Sequence, residues 1–185
     1  MDKQALEREL ERRMTQINRW VERDLPRQVG VMAVNHFKRN FELEGFQNGS
    51  LSKWKEVKRR DPSSPWYGFL YKGENRKKVP YKLTKKGKRS KSQRKLNFSQ
   101  AATQWKILHN SGELEDSLRY EPGPACVTIT SDKPYAAIQN EGGMIKVFGK
   151  RSVRLPARPF VGESNELNER ISRLIDDKIN ELFNS

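Results

Sequence analysis

Two histidines, one cysteine and one pair of adjacent carboxylates are the first places to look for reactive chemistry in this chain. His36 and His109 could serve as general bases or metal ligands, but neither has a metal-like spacing to another ligand type. His36 stands beside Phe37 in a run with helical spacing and reads as a structural imidazole. His109 adjoins a turn and reads as a hydrogen-bonding turn residue. Cys126 lies in an alternating β-branched run, where a small buried apolar side chain is a better reading than a nucleophile. Asp176 and Asp177 are consecutive in a helical pattern and point about 100° apart, which suits a solvated face and not a catalytic pair. The chain has no GxxxxGK[ST] loop, no GxGxxG after a strand and no GxSxG elbow. The sequence therefore predicts no enzyme, no cofactor and no metal site.

Charge does select a class of partner. The net charge is +14, and from Lys53 to Lys106 there are 18 Lys and Arg against three acids, Glu56, Asp61 and Glu74. That segment nets +15 and the rest of the chain nets −1, so the whole excess sits in one stretch. Lys77, Lys78, Lys85, Lys86, Lys88, Arg89, Lys91, Arg94 and Lys95 are its candidate contacts to a partner or to DNA. Such cations can neutralise phosphates while Trp66, Tyr67 or Tyr81 stack on bases. They suit an acidic protein surface equally well, and no recognisable nucleic-acid module surrounds them. Non-specific nucleic-acid binding is the alternative function this segment keeps open.

The elements that would carry these residues follow from periodicity. Leu6, Leu10, Met14, Ile17 and Val21 recur at three- and four-residue steps, as do Val29, Ala33, Phe37 and Phe41. Asp24 as a cap before Leu25-Pro26 predicts a break and restart, so 1–44 is a helical pair or one kinked helix ended by Gly45. Gln47 to Ser50 reads as a turn, and 51–59 as a short, extended piece. From 60 to 104 no period survives among the prolines and glycines, which predicts a long basic loop or arm. Asn110 with Glu113 is a capping-box pattern for a short helix through Ser117. Residues 118–121 and 125–130 read as a β-hairpin, Pro134 to Asn140 as a helical turn, and 144–148 with 153–155 as strands. Leu167, Ile171, Leu174, Ile175, Ile179, Leu182 and Phe183 form the cleanest helical stripe, over 164–184, capped by Ser164 or Asn165.

The expected fold class is α+β: an N-terminal helical pair and a C-terminal helix packed on a small antiparallel β-sheet within 105–162, with the basic arm attached. The 185 residues fit a single domain, and 34% hydrophobic against 32% charged content predicts a thin core that leans on oligomerisation or carries extended segments that order only on assembly. No apolar run is long enough to span a membrane, and the start MDKQALERELERRM lacks the apolar stretch of a signal peptide. One cysteine fits a reducing compartment, which for this chain means the cytosol when it is made.

Four passages resemble, in order, the phage virion morphogenesis family, the tail completion proteins of Mu-like and P2-like contractile phages. They are Phe41-Glu-Leu-Glu-Gly-Phe…Gly49…Trp54-Lys-Glu-Val57, Ile107-Leu-His-Asn-Ser-Gly-Glu-Leu-Glu-Asp-Ser117, Tyr135-Ala-Ala-Ile-Gln-Asn-Glu-Gly-Gly143 and Leu155-Pro-Ala-Arg-Pro-Phe-Val-Gly162. The chain has Gln139-Asn140 where the family often has His-Gln. The resemblance spans about two-thirds of the chain and leaves 60–104 largely unmatched. Trp54, Gly112, Tyr135, Gly142, Gly143, Pro156, Arg158, Pro159 and Phe160 are the motif residues, and their expected role is structural. Gly142 and Gly143 supply backbone freedom, while Pro156 and Pro159 fix an extended approach that seats Phe160 in the core. The resemblance implies a structural protein of the virion at the head–tail junction, present in the host cytoplasm during assembly. It implies other copies of the chain in a ring, a hexamer as first guess, with the tail tube or tail terminator and the head connector as partners. Non-specific proximity to genomic DNA is possible in that place, and no membrane is involved.

Overall fold

The structure is a computed structural model in which residues 3–69, 99–109, 111–147 and 151–184 are described. The chain divides into two compact units, Met1–Lys55 with Leu108–Ser185, and Glu56–Ile107.

In the first unit, α1 (Lys3–Arg19) passes through a π-helical turn (Trp20–Asp24) into α2 (Leu25–Leu43). Pro26 is the cause of the wide turn. It has no N–H for the carbonyl four residues back and its ring would crowd that carbonyl, so the helix opens instead. The Leu25 N–H accordingly reaches Trp20 O, five residues back. The expected break at Asp24 is therefore a bulge within a continuous helix. Asp24 keeps helical angles and its side chain makes no capping bond. The helix ends at Glu44, in the left-handed conformation (φ 52°), one residue ahead of the expected Gly45.

α2 is the organiser of this unit. Ala33, Phe37 and Phe41 are buried along one face, with Asn40 among them. β1 (Gly45–Asn48) and β2 (Ser50–Lys53) form a hairpin where the sequence suggested only a turn and an extended piece. α3 (Glu113–Asp116) leads into β3 (Leu118–Gly123) and β4 (Cys126–Ser131), the expected hairpin. The residue at the N-cap of α3 is Gly112; the expected capping residue Asn110 lies outside the described residues. α4 (Ala136–Glu141), β5 (Gly143–Val147), β6 (Arg151–Leu155) and α5 (Asn165–Asn184) complete the order. The architecture is α+β, with the described strands arranged as three separate two-stranded antiparallel hairpins rather than one sheet. Isolated hairpins are marginal in water, so these depend on what they pack against. β3 and β4 lie on α2, and β1 contacts both α2 and α5.

Cys126 is exposed, contrary to the expectation of a buried side chain. In β4 the half-buried parity belongs to Val127 and Ile129, and Cys126 shares the outward parity of Thr128. At the contact of α2 with β3, a Cβ on Gly30 would overlap the ring of Tyr120. Gly30→Ala gains helix propensity of about 1 kcal/mol, but overpacking of this kind costs about 1–3 kcal/mol. The variant should thus melt below the wild type. A melting temperature at or above wild type would show that the Tyr120 ring can move aside.

Candidate functional site

The motif passages at Trp54, 135–143 and 155–162 converge on one buried knot beside α2. Phe160 is 2% exposed, with its ring 5.0 Å from that of Phe41, and Trp54 meets Phe41 edge-on at 5.7 Å. The segment 158–161 has no secondary structure of its own, so its backbone groups need partners from elsewhere. Side chains supply most of them. Trp54 Nε1 donates to Pro159 O at 2.7 Å, and Asn40 Nδ2 donates to Phe160 O at 3.0 Å. Asn140 Oδ1 accepts from both Phe160 N (2.8 Å) and Val161 N (3.0 Å). Arg158 N donates to Gln139 O at 3.0 Å. The buried Arg158 guanidinium reaches Lys55 O through Nε (3.3 Å) and Nη2 (3.1 Å).

The glycine pair has a steric explanation. Gly142 has φ +73° and ψ −171°, a region essentially reserved for glycine. A Cβ there would come within 2.6 Å of Ala157 N and 2.8 Å of Leu155 O, so the 155–157 strand can pass only over a residue without a side chain. Phe160 is seated in the core, as the sequence suggested, at the end of a passage, 156–159, that has no regular secondary structure. Tyr135 precedes α4, and its ring is 40% exposed, outside the knot. The chain's departure from the family pattern has a structural consequence at both positions. Gln139 Oε1 is buried with no hydrogen-bond partner among the described residues, while Asn140 is the acceptor that holds 160–161.

Sequence reasoning gave Asn40 no role, although its carboxamide is fully buried and joins two motifs. Its Oδ1 accepts from Gln47 N at 3.0 Å while its Nδ2 holds Phe160 O. The available signal was a polar residue on the same helical face as Ala33 and Phe37. Of the two proposed caps for α5, Ser164 is the one used. Its Oγ accepts from Leu167 N and donates to Gln47 O, both at 3.3 Å, and Asn48 Oδ1 takes the N–H of Asn165 at 2.7 Å.

None of this assembly offers a nucleophile beside a base. Among the described residues no cluster of His, Cys, Asp and Glu could hold a metal ion. His109 is exposed, with Nδ1 3.4 Å from Glu115 Oε2, and Asp176 and Asp177 are exposed on α5. His36 is buried (3% exposed) and its Nε2 has no partner among the described residues. Desolvation lowers its pKa below 6.5, outweighing the opposing influence of the Glu166 carboxylate and the Gln47 backbone. The neutral form is the folded form. The unfolded chain therefore binds more protons in this range, and stability is full above pH 6.5 and lost as pH falls below it. The urea midpoint of the wild type should fall between about pH 7 and pH 5 more steeply than that of His36→Gln. Parallel pH profiles for the two proteins would remove His36 as the titrating group.

In the second unit the described residues form the root of the basic segment. Arg59 gathers the carbonyls of Ala102 (3.2 Å), Trp105 (2.9 Å) and Lys106 (2.7 Å), and Ser99 N donates to Gly68 O at 2.8 Å. Gly68 and Ser99, on either side of residues 70–98, are thus held to each other. Trp66, Tyr67 and Trp105 are each about two-fifths exposed there. Lys77, Lys78, Lys85, Lys86, Lys88, Arg89, Lys91, Arg94 and Lys95, with Tyr71 and Tyr81, lie outside the described residues. No described helix is long and apolar enough to cross a membrane.

Neither the curated proteins nor the solved structures contain a match to this chain. Residues 80–180 match the model of the phage virion morphogenesis family. The match holds the passages 107–117, 135–143 and 155–162, begins inside the basic segment, and leaves the Phe41–Val57 passage outside. More than half of the chain is matched, and on that ground the chain belongs to the phage virion morphogenesis family.

Proposed function

We propose that this protein is a structural, non-enzymatic part of the head–tail junction of a tailed phage. In this reading it is a tail completion or neck protein that joins or caps the tail for docking to the head. It works as a ring of identical subunits, six in the first instance, between the tail tube or tail terminator and the head connector.

One observation supports this reading best. The motif side chains Trp54, Asn140 and Arg158 are taken up in binding backbone, so what they specify is a shape and not a reaction. The cationic excess falls in 53–106, most of it in the second unit. In a junction this excess has two uses, gripping acidic surfaces of neighbouring proteins or lying near packaged DNA. The exposed aromatics at its root suit docking to protein better than a bare polycation would.

Deleting 73–95 should leave the circular dichroism melt of the rest of the chain close to wild type while abolishing incorporation into virions in a complementation assay. If the deletion unfolds the protein, the segment is part of the core. If incorporation survives it, the segment is not the gripping element. Non-specific nucleic-acid binding is the second reading, favoured by the +15 segment alone. It requires a monomer that binds duplex DNA at low salt and releases it at high salt. The junction reading expects assembly that is indifferent to DNA.

A further inference from the structure

α1 and α5 run side by side in opposite directions. Arg13 Nη1 donates to Phe183 O at 2.8 Å and its guanidinium lies 5.7 Å from the Phe183 ring, while farther along Trp20 and Asp24 share a groove with Leu174 and Asp177. Phe183, in the last turn of α5, lies beside Arg13 in the second half of α1. No residue of α1 is buried. Leu6, Leu10 and Met14, at four-residue steps on one face, are 46%, 44% and 61% exposed. Charged residues cover the other faces and pair within the helix. Glu9 takes both Arg12 (2.8 Å) and Arg13 (2.7 Å), which hold its carboxyl down at about 2. A helix with no buried residue and an apolar line along it is an unpartnered face among the described residues, unlike a scatter of single exposed leucines.

The groove between the π-helical turn, the start of α2 and α5 is the matching feature. It measures about 600 Å³ and is mostly polar: Asp24, Arg27, Gln28, Asp177, Lys178 and Glu181 surround half-buried Leu174 and a Trp20 that is only 7% exposed. We infer that α1 of one copy of this chain lies in the groove of a second copy, with Leu6, Leu10 and Met14 toward Leu174. Charge supports a second copy as the occupant. Beside Leu10, Arg8 and Glu11 have no ion pair among the described residues, and neither do Asp24, Arg27 and Asp177 at the groove. The helix therefore brings one free cation and one free anion to a groove with two free anions and one free cation. Stripe and groove are different faces of the same molecule. Such a head-to-tail contact repeats from copy to copy and closes into a ring when the rotation allows. The inference rests on the self-assembly in the function proposed above and names its contact.

Light scattering on the full chain tests it, with folding checked by circular dichroism. Wild type should be a multimer. Leu10→Asp/Met14→Asp, at exposed positions, should stay folded and fall to the monomer mass of 21.6 kDa. Asp177→Arg should weaken assembly at least ten-fold in concentration, and adding Arg8→Asp should restore it. A wild type that is monomeric, or a stripe variant with unchanged mass, overturns the contact. So does a stripe variant that dissociates while Asp177→Arg assembles fully, since α1 would then pair elsewhere. Virion incorporation separates this contact from the function it rests on. A stripe variant that assembles normally but stays out of virions sinks the contact and leaves the junction role standing. One that is monomeric yet incorporated sinks the ring at the junction and leaves the contact standing.

Discussion

Phe160→Ala should remove about 3–5 kcal/mol of stability, the cost of emptying a buried aromatic site. If the net stability is near the low end of the ordinary range of about 5–15 kcal/mol, that loss leaves a large unfolded fraction at 37 °C. The site cannot close easily around the gap. The Phe160 backbone is pinned on both sides, its N–H by Asn140 and its carbonyl by Asn40, while Trp54 holds the carbonyl of Pro159. The ring's neighbour Phe41 is itself only 1% exposed and belongs to α2, which cannot shift without moving β1, β3 and β4. Phe160→Leu, which keeps most of the volume, should recover more than half of the loss. Urea unfolding of the two variants measures this. A cost for Phe160→Ala below about 1.5 kcal/mol would mean that the 155–162 passage is peripheral to the core.

The second large effect separates two asparagines that a sequence comparison would treat alike. Asn40 uses both ends of its carboxamide, donating to Phe160 O and accepting from Gln47 N, with no exposure to solvent. Asn40→Asp replaces the donor with an acceptor facing a carbonyl and buries a charge, which should cost about 3–5 kcal/mol near neutral pH. The buried carboxylate's pKa is raised, so part of that loss should return as the pH falls and the acid form donates to Phe160 O. Asn140 uses only its oxygen in holding 160–161, as the acceptor of two backbone N–H groups. Asn140→Asp keeps that acceptor and should stay within about 1 kcal/mol of wild type. Asn140→Ala, by contrast, strands two donors, each costing about 1–3 kcal/mol. Equal effects of the two aspartate substitutions would contradict the hydrogen-bond assignment at one of the sites.

Much of this was legible in the chain because it is local chemistry. The stripes 6–21, 29–41 and 167–183 fix three helices by period. The β-branched alternation at 127–130 fixes a hairpin, and the concentration of Lys and Arg between 53 and 106 fixes where the charge lies. Periodicity also limited what could be read. A bulge and a break leave the same apolar pattern around Pro26, and only the backbone shows that the helix runs on through a π turn. The β1–β2 hairpin has too short a run of apolar residues to announce itself, and it stands because α2 and α5 pack on it. The parity of β4 turned Cys126 outward, a matter of which face the hairpin lays on α2.

The motif passages resembled a family in sequence, yet nothing in their spacing says that residues as far apart as 40, 54, 140 and 160 meet. That meeting is tertiary. An unpaired backbone segment entering the core must borrow hydrogen bonds from whatever side chains the fold brings to it, and the partners share no local pattern. The sequence by itself determined the three long helical stripes, the β3–β4 hairpin, the charge segregation and the kinship. Only the tertiary structure decided that the kinship motifs form a fully bonded knot, and that the first helix keeps its apolar stripe uncovered. Burial and pairing are properties of what surrounds a residue, and the residue's own neighbours in the chain do not specify it.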